Sequence, residues 1–271
     1  MAREDNPRPM EHFPRAATRV IGHRGSPRRA IENTFESFDW AEADGADGFE
    51  LDVRLTLDGE AVVHHDPDVV VGDRRIPLAS LALVELLELD LGNGARVPTL
   101  RDVLFRYGAQ DLLLFVEMKP CPTPRAGLLE NRVAALLSEM NLFSRSVVLS
   151  FSPDMLRRVK ELEPRLTTSL NFDASAYRAP GRFLPELPKG CGAVGAHVAV
   201  AIPELFAEAE AAGVQVHVWT VNEPSRAATL AELGAASVIT DVPAEVGPAV
   251  RAVTGVKARL DFAETGPAES R

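Results

Sequence analysis

Cysteine is scarce in this chain of 271 residues, which holds two thiols, Cys121 and Cys191, far apart in the sequence. Two such residues cannot build a disulfide-rich scaffold, and their spacing is not that of a zinc site, so both are expected to be unpaired. Long apolar runs are missing as well: nothing approaches the roughly 20 residues that a membrane span needs. The polar first 19 residues, rich in Arg, Pro and acids, carry no apolar segment of the kind a secretory signal requires. The cytoplasm is therefore the expected location, with no stable membrane insertion. Positive charge is in deficit, Lys+Arg 29 against Asp+Glu 39 for a net charge of −10. That balance argues against a nucleic-acid partner, although a local cleft can still attract a small anion. No glycine-rich nucleotide-binding turn follows the first apolar run. No Gly-x-Ser-x-Gly turn surrounds Ser150 or Ser152, so neither is expected to act as a nucleophile.

What is present has the proportions of an ordinary globular protein, 46% hydrophobic and 25% charged. Short apolar runs alternate with longer amphipathic stretches. Candidate strands lie at 20–22, 48–53, 112–118, 146–150, 167–171, 193–197, 214–220 and 237–240. Helical patterns fall at 34–43, 81–89, 100–107, 128–140, 154–161, 203–212, 225–233 and 244–253, several behind Ser-Pro or Asn-Glu-Pro start signals. Eight strands alternating with helices predict an α/β protein, a single (β/α)8 TIM barrel, in preference to a doubly wound open sheet. The expected layout is a flexible leader over 1–18, the barrel over 19–257 and a flexible tail over 258–271.

Two segments break this rhythm. Asp58-Gly59 interrupts an alternating pattern and predicts a β-hairpin after the second strand. The stretch 172–192, rich in Pro and Gly and carrying Phe183, Leu184 and Leu187, reads as a surface excursion rather than a lid.

In a barrel the C-terminal strand ends build the site. Read in order, those ends present His23 and Arg24, Glu50 and Asp52, Glu117 and Lys119, Ser150, Asn171, His197, Trp219 and Asp241. Glu50 and Asp52 are two apart on a strand and share a face, as do Glu117 and Lys119. A two-residue Asp58-Gly59 turn places Asp52 opposite His65 and Val53 opposite His64, so His65 joins the acids. A bulge in either strand reverses that choice. Three converging carboxylates need a cation, and all-oxygen ligation suits one hard divalent ion, Mg2+ or Ca2+. His23 and His65 beside it supply acid–base groups near neutral pH. Arg24 and Lys119 add charge suited to a phosphate. Together these parts imply phosphodiester chemistry.

The same residues resemble the glycerophosphodiester phosphodiesterase family. The likeness is carried by Gly22-His23-Arg24-Gly25, Glu32-Asn33-Thr34, Glu50-Leu51-Asp52, His65-Asp66, Val116-Glu117-Met118-Lys119, Trp219-Thr220-Val221-Asn222 and Thr240-Asp241-Val242-Pro243. It runs from residue 20 to 243, and the polar run that the family carries after His-Asp is replaced here by residues 67–74. The resemblance implies hydrolysis of deacylated phospholipids to sn-glycerol 3-phosphate and an alcohol. His23 and His65 then form the acid–base pair, Glu50, Asp52 and Glu117 hold the metal, and Arg24 and Lys119 contact phosphate. Asn33 supports the His-Arg-Gly loop, and Trp219 either lines the pocket or packs the barrel. The expected partner is a small-molecule glycerophosphodiester, and the chain a monomer or homodimer.

Other histidines, His12, His64, His197 and His217, are read as structural, Arg28 and Arg29 as a solvated loop, and Asp241 as a cap or loop-fixing residue. Two alternative functions stand beside the main one. One is an enzyme of the same barrel that cleaves or cyclises intact lysolipids, as phospholipase D-type toxins do. The other is a non-catalytic phosphodiester-binding barrel.

Overall fold

The computed structural model describes residues 17–120, 127–176 and 181–255. The leader up to residue 16, the tail from 256, Cys121, His12 and residues 177–180 of the surface excursion lie outside these.

Strand β1 (Arg19–Gly22) leads to helix α1 (Phe35–Ala43) and the long β2 (Gly48–Leu55). Three short strands follow, β3 (Ala61–Val63), β4 (Asp68–Val71) and β5 (Arg74–Pro77), then α2 (Leu83–Leu87) and α3 (Leu100–Tyr107). Strands then alternate with helices, except that no α-helix is seen between β8 and β9 among the described residues: β6 (Leu113–Met118), α4 (Leu128–Glu139), β7 (Ser146–Ser150), α5 (Pro153–Leu162), β8 (Thr167–Phe172), β9 (Ala193–His197), α6 (Pro203–Ala212), β10 (Gln215–Trp219), α7 (Pro224–Glu232), β11 (Ser237–Thr240) and α8 (Pro243–Thr254). The parallel strands pair in the order β1, β11, β10, β9, β8, β7, β6, β2, and β2 returns to β1 through Ile21–Gly48 and Gly22–Phe49. The sheet is thereby closed into a TIM barrel.

Closure explains the near-continuous apolar strands, because both faces are covered. Inward residues Ile21, Phe115, Leu149 and Ile239 form a cluster inside the barrel. Their neighbours in sequence point out. Leu51, Leu114, Val116 and Val148 pack under α1, α3, α4 and α5, while Val20, Val194, Val218 and Val238 pack under α6, α7 and α8. Side-chain caps at Thr34, Thr99 and Ser152 and first-turn prolines at 153, 203, 224 and 243 set where the helices begin.

The hairpin after β2 is present, but its register is displaced by one residue. Val53 pairs with Val63, not His64, and Leu55 with Ala61. The turn holds three residues, Leu57 to Gly59, with Gly59 at φ 84 and the Thr56 N–H donating to Glu60 O at 3.0 Å. A left-handed third residue is the glycine-dependent alternative to the expected two-residue turn. A further small hairpin, β4–β5, was not expected. It rests on its own cluster of Val62, Val69, Leu78, Leu86 and Val97. In the surface excursion, Phe183 and Leu184 pack partly buried against the α6 side, and Glu208 accepts both their N–H groups at 2.8–3.2 Å. No helix among the described residues is long and apolar enough to cross a membrane.

His217, on β10, is a buried titratable group beside the cluster inside the barrel. Its Nδ1 lies 2.9 Å from Ser237 Oγ, its ring meets Phe115 edge-on, and burial pushes its pKa down to about 4. The folded state thus binds this proton less readily than the unfolded chain, so the stabilising contribution is full above about pH 6.5 and falls as acid approaches pH 4. About 3 kcal/mol is lost across that window. Urea unfolding at pH 7 and pH 4 measures it, and a His217→Leu chain with an equally steep decline would assign the loss elsewhere.

Candidate active site

β2 and β6 lie side by side with Asp52 level with Glu117, so the inward positions bring Glu50, Asp52 and Glu117 to one corner of the C-terminal mouth. Carboxylate oxygens of the three lie within 4.8 Å of one another, and all three residues are buried. Lys119, two residues beyond Glu117, bridges the cluster, with Nζ 2.9 Å from Asp52 Oδ1 and 2.6 Å from Glu117 Oε1. Arg24 Nε stands 3.2 Å from Asp52 Oδ2. Asn33 clasps Asp52 twice: its Nδ2 donates to Oδ2 at 2.9 Å and its Oδ1 accepts the Asp52 N–H at 3.2 Å.

Arg24 adopts φ 55, a conformation that long side chains avoid. Several contacts over-determine it. Its N–H donates to Glu50 Oε2 at 3.1 Å, its carbonyl accepts the Asn33 N–H at 3.0 Å, and its Nη1 reaches Glu32 at 2.9 Å. The His-Arg-Gly turn is thus locked onto the acids.

The electrostatics are unequal. Burial first, then the charges of Asp52 and Glu117, push the Glu50 carboxyl well above the ordinary range. Burial and Asp52 raise Glu117 in the same direction. For Asp52, burial works upward but Lys119 and Arg24 outweigh it and hold the carboxyl low. Lys119 is held above its usual value, because Asp52 and Glu117 outweigh its desolvation.

His65 reaches this corner by a route that strand alternation did not supply. β3 ends at Val63, and the chain then leaves the sheet, with the His64 N–H donating to Asp52 O at 2.9 Å and Arg54 Nε donating to His65 O at 2.7 Å. The His65 imidazole is pushed below its usual pKa by burial, aided by Lys119 and Arg24 and opposed by Asp52. Its Nδ1 is 2.8 Å from Asp66. His64 turns away, its Nε2 3.0 Å from Asp68 O on the small hairpin. His23, after β1, places Nδ1 2.7 Å from Asp241 Oδ1.

The Asp241 carboxylate, expected to cap the last helix or fix the last loop, binds His23 and Asn222. Its place in the list of strand ends was the available signal. Asn171, a strand-end residue to which the sequence assigns no role, donates from Nδ2 to Glu117 Oε2 at 3.3 Å. Asn171 can lie there because the facing residue on β9 is Gly195, where a methyl group would overlap its Oδ1. Trp219 packs against the inner barrel cluster and donates from Nε1 to Gly195 O at 2.8 Å, and its ring also meets Phe151 and His197 at the mouth.

The donor set fits a hard cation. Glu50 Oε1 is a buried carboxylate oxygen without a hydrogen-bond partner, and Arg24 and Lys119 are the cationic side chains that form ion pairs with the three-carboxylate cluster among the described residues. All-oxygen ligation suits Mg2+ or Ca2+ over softer metals.

A profile of the Glycerophosphoryl diester phosphodiesterase family matches residues 23–245. A glycerophosphodiester phosphodiesterase from Caldanaerobacter subterraneus subsp. tengcongensis is 32% identical over 237 residues, covering 83% of this chain and 95% of that protein. A glycerophosphodiester phosphodiesterase structure from Parabacteroides distasonis superposes with a TM-score of 0.74 at 27% identity, over 87% of this chain and 98% of the other. A phosphodiesterase structure from Oleispira antarctica, in complex with the product sn-glycerol-3-phosphate, gives 0.71 at 27% identity, over 86% and 97%. Match and geometry agree, and the chain belongs to the glycerophosphoryl diester phosphodiesterase family.

Proposed function

We propose that this protein hydrolyses glycerophosphodiesters to sn-glycerol 3-phosphate and an alcohol, with His23 and His65 exchanging protons beside one divalent cation, Mg2+ or Ca2+. The observation that carries the reading is the buried Glu50–Asp52–Glu117 cluster with its unpartnered Glu50 oxygen, supported by the likeness to the Oleispira antarctica phosphodiesterase in complex with that product. Glu50, Asp52 and Glu117 would hold the cation, and a bound ion would supply positive charge against the negative charge that grows on the phosphoryl oxygens. Arg24 and Lys119 supply further positive charge to the phosphate. One imidazole takes the proton of the glycerol hydroxyl next to the phosphate as that oxygen attacks phosphorus. The other protonates the departing alcohol oxygen. Water then opens the cyclic phosphodiester with the two imidazoles in exchanged roles. Asn33 fixes Asp52, and Trp219 walls the mouth.

Incubation with glycerophosphocholine, glycerophosphoethanolamine and glycerophosphoglycerol, with and without Mg2+ or Ca2+, tests this. Free sn-glycerol 3-phosphate is expected with a divalent ion, falling to background in excess EDTA and returning when the ion is restored. Unchanged rates in EDTA would remove the metal from the account. Binding without turnover under any ion would leave a phosphodiester-binding barrel, and a cyclic phosphate released from an intact lysolipid would favour the lysolipid enzyme.

A further inference from the structure

We infer that Asp241, braced by Asn222, is a positioning residue that holds the His23 imidazole with its proton on Nδ1 and its Nε2 lone pair free for the reaction. The inference rests on the reading of His23 as an acid–base group.

The arrangement is built from three neighbouring strand ends. β1 and β11 run in register with Gly22 beside Thr240, and the His23 N–H donates to Thr240 O at 2.8 Å, so His23 and Asp241 leave the barrel at one height. Asp241 Oδ1 lies 2.7 Å from His23 Nδ1. The other oxygen, Oδ2, accepts from Asn222 Nδ2 at 2.7 Å. Asn222 follows β10, and its own Oδ1 accepts from the Asp241 N–H at 2.8 Å and from Thr240 Oγ1 at 3.1 Å. Two donors on that oxygen settle the amide orientation, so Nδ2 must face the carboxylate.

Each carboxylate oxygen therefore has one dedicated donor. Burial alone would raise the Asp241 carboxyl, but the hydrogen bonds from His23 and Asn222 outweigh it and hold the group ionised. An ionised carboxylate only accepts, so the proton of the neutral imidazole must sit on Nδ1. Nε2 is then a base in the neutral ring and an acid in the charged one. A capping role does not account for the contact. The residue capping α8 is Val242, and Asp241 spends both carboxylate oxygens on side chains of other strand ends. His65 is held differently, since its Nδ1 partner is the adjacent and exposed Asp66.

Asp241→Asn keeps the shape but gives the group an amide that can donate to Nδ1, favouring the tautomer with the proton on Nε2. With glycerophosphocholine as substrate, kcat is expected to fall about 10²- to 10⁴-fold. KM, and calorimetric Ca2+ affinity measured without substrate, stay within about twofold of wild type, because the acids are untouched. Nitrogen-15 spectra of the imidazoles should show the His23 tautomer moving from Nδ1–H to Nε2–H. Asn222→Ala, milder and removed from the reacting atoms, should lower kcat about tenfold. Wild-type kcat in Asp241→Asn, or an unmoved tautomer, overturns the inference. His23→Ala is assayed alongside: if it is inactive while Asp241→Asn is fully active, the inference alone fails, and if both are fully active the two-histidine reading fails with it.

Discussion

His23→Ala and His65→Ala should each lower turnover of a glycerophosphodiester by about 10²- to 10⁴-fold, the contribution of a positioned proton-transfer group. Neither substitution should unfold the chain. The two imidazoles are partly exposed at the mouth, with side chains 20% and 32% accessible, and belong to none of the buried apolar clusters. Thermal midpoints near wild type, together with lost turnover, are the expected pair of results. His64→Ala provides the control. Its ring bonds Asp68 O on the β4–β5 hairpin rather than facing the acids, so turnover should survive its loss. Full activity in His65→Ala with loss in His64→Ala would show that the two neighbours have been assigned the wrong way round.

Lys119→Met should be the most destabilising single change at the site. Lys119 Nζ is the ammonium shared by Asp52 and Glu117, 2.9 and 2.6 Å away, with a side chain 11% accessible. Methionine fills the space but leaves two buried carboxylates with less positive charge nearby. Breaking a buried pair from one side costs about 3–5 kcal/mol. For a domain of this size that is roughly a 10 °C drop in Tm. Added Ca2+ or Mg2+ should then raise the midpoint more in the variant than in wild type, because the cation faces less competition for the same oxygens. A Lys119→Met chain that melts with wild type in EDTA would mean that the ion pairs contribute nothing net to folding.

The barrel was legible because its strands are short, apolar and separated by capped helices of ordinary length. Helix α3 (Leu100–Tyr107) and helix α6 (Pro203–Ala212) coincide with the ranges read from periodicity and start signals. The pattern over 81–89 overreached: α2 covers only Leu83–Leu87, because Leu81 N–H turns back to Leu78 O and Leu81 O accepts from Leu57 N in the β2–β3 turn. Those contacts cross the chain and leave no periodic mark. The β4–β5 hairpin escaped for a similar reason, since Val69-Val70-Val71 pairs with a strand as charged as Arg74-Arg75-Ile76-Pro77. A two-residue turn would bring His65 opposite Asp52 through a register that the structure does not have. His65 comes to the acids because the chain leaves the sheet after Val63 and Arg54 draws its carbonyl in.

The amino-acid order alone determined which residues could share a face, since the two-residue period of a strand sets Glu50 with Asp52 and Glu117 with Lys119 wherever the strands lie. It therefore specified the acids and the eightfold alternation that carries them. Only the tertiary structure decided what meets beyond the strand ends, where that period lapses and direction is set by neighbouring loops. The contact between His23 and Asp241 joins residues 218 positions apart, and it exists because closing the barrel puts the first parallel strand beside the last.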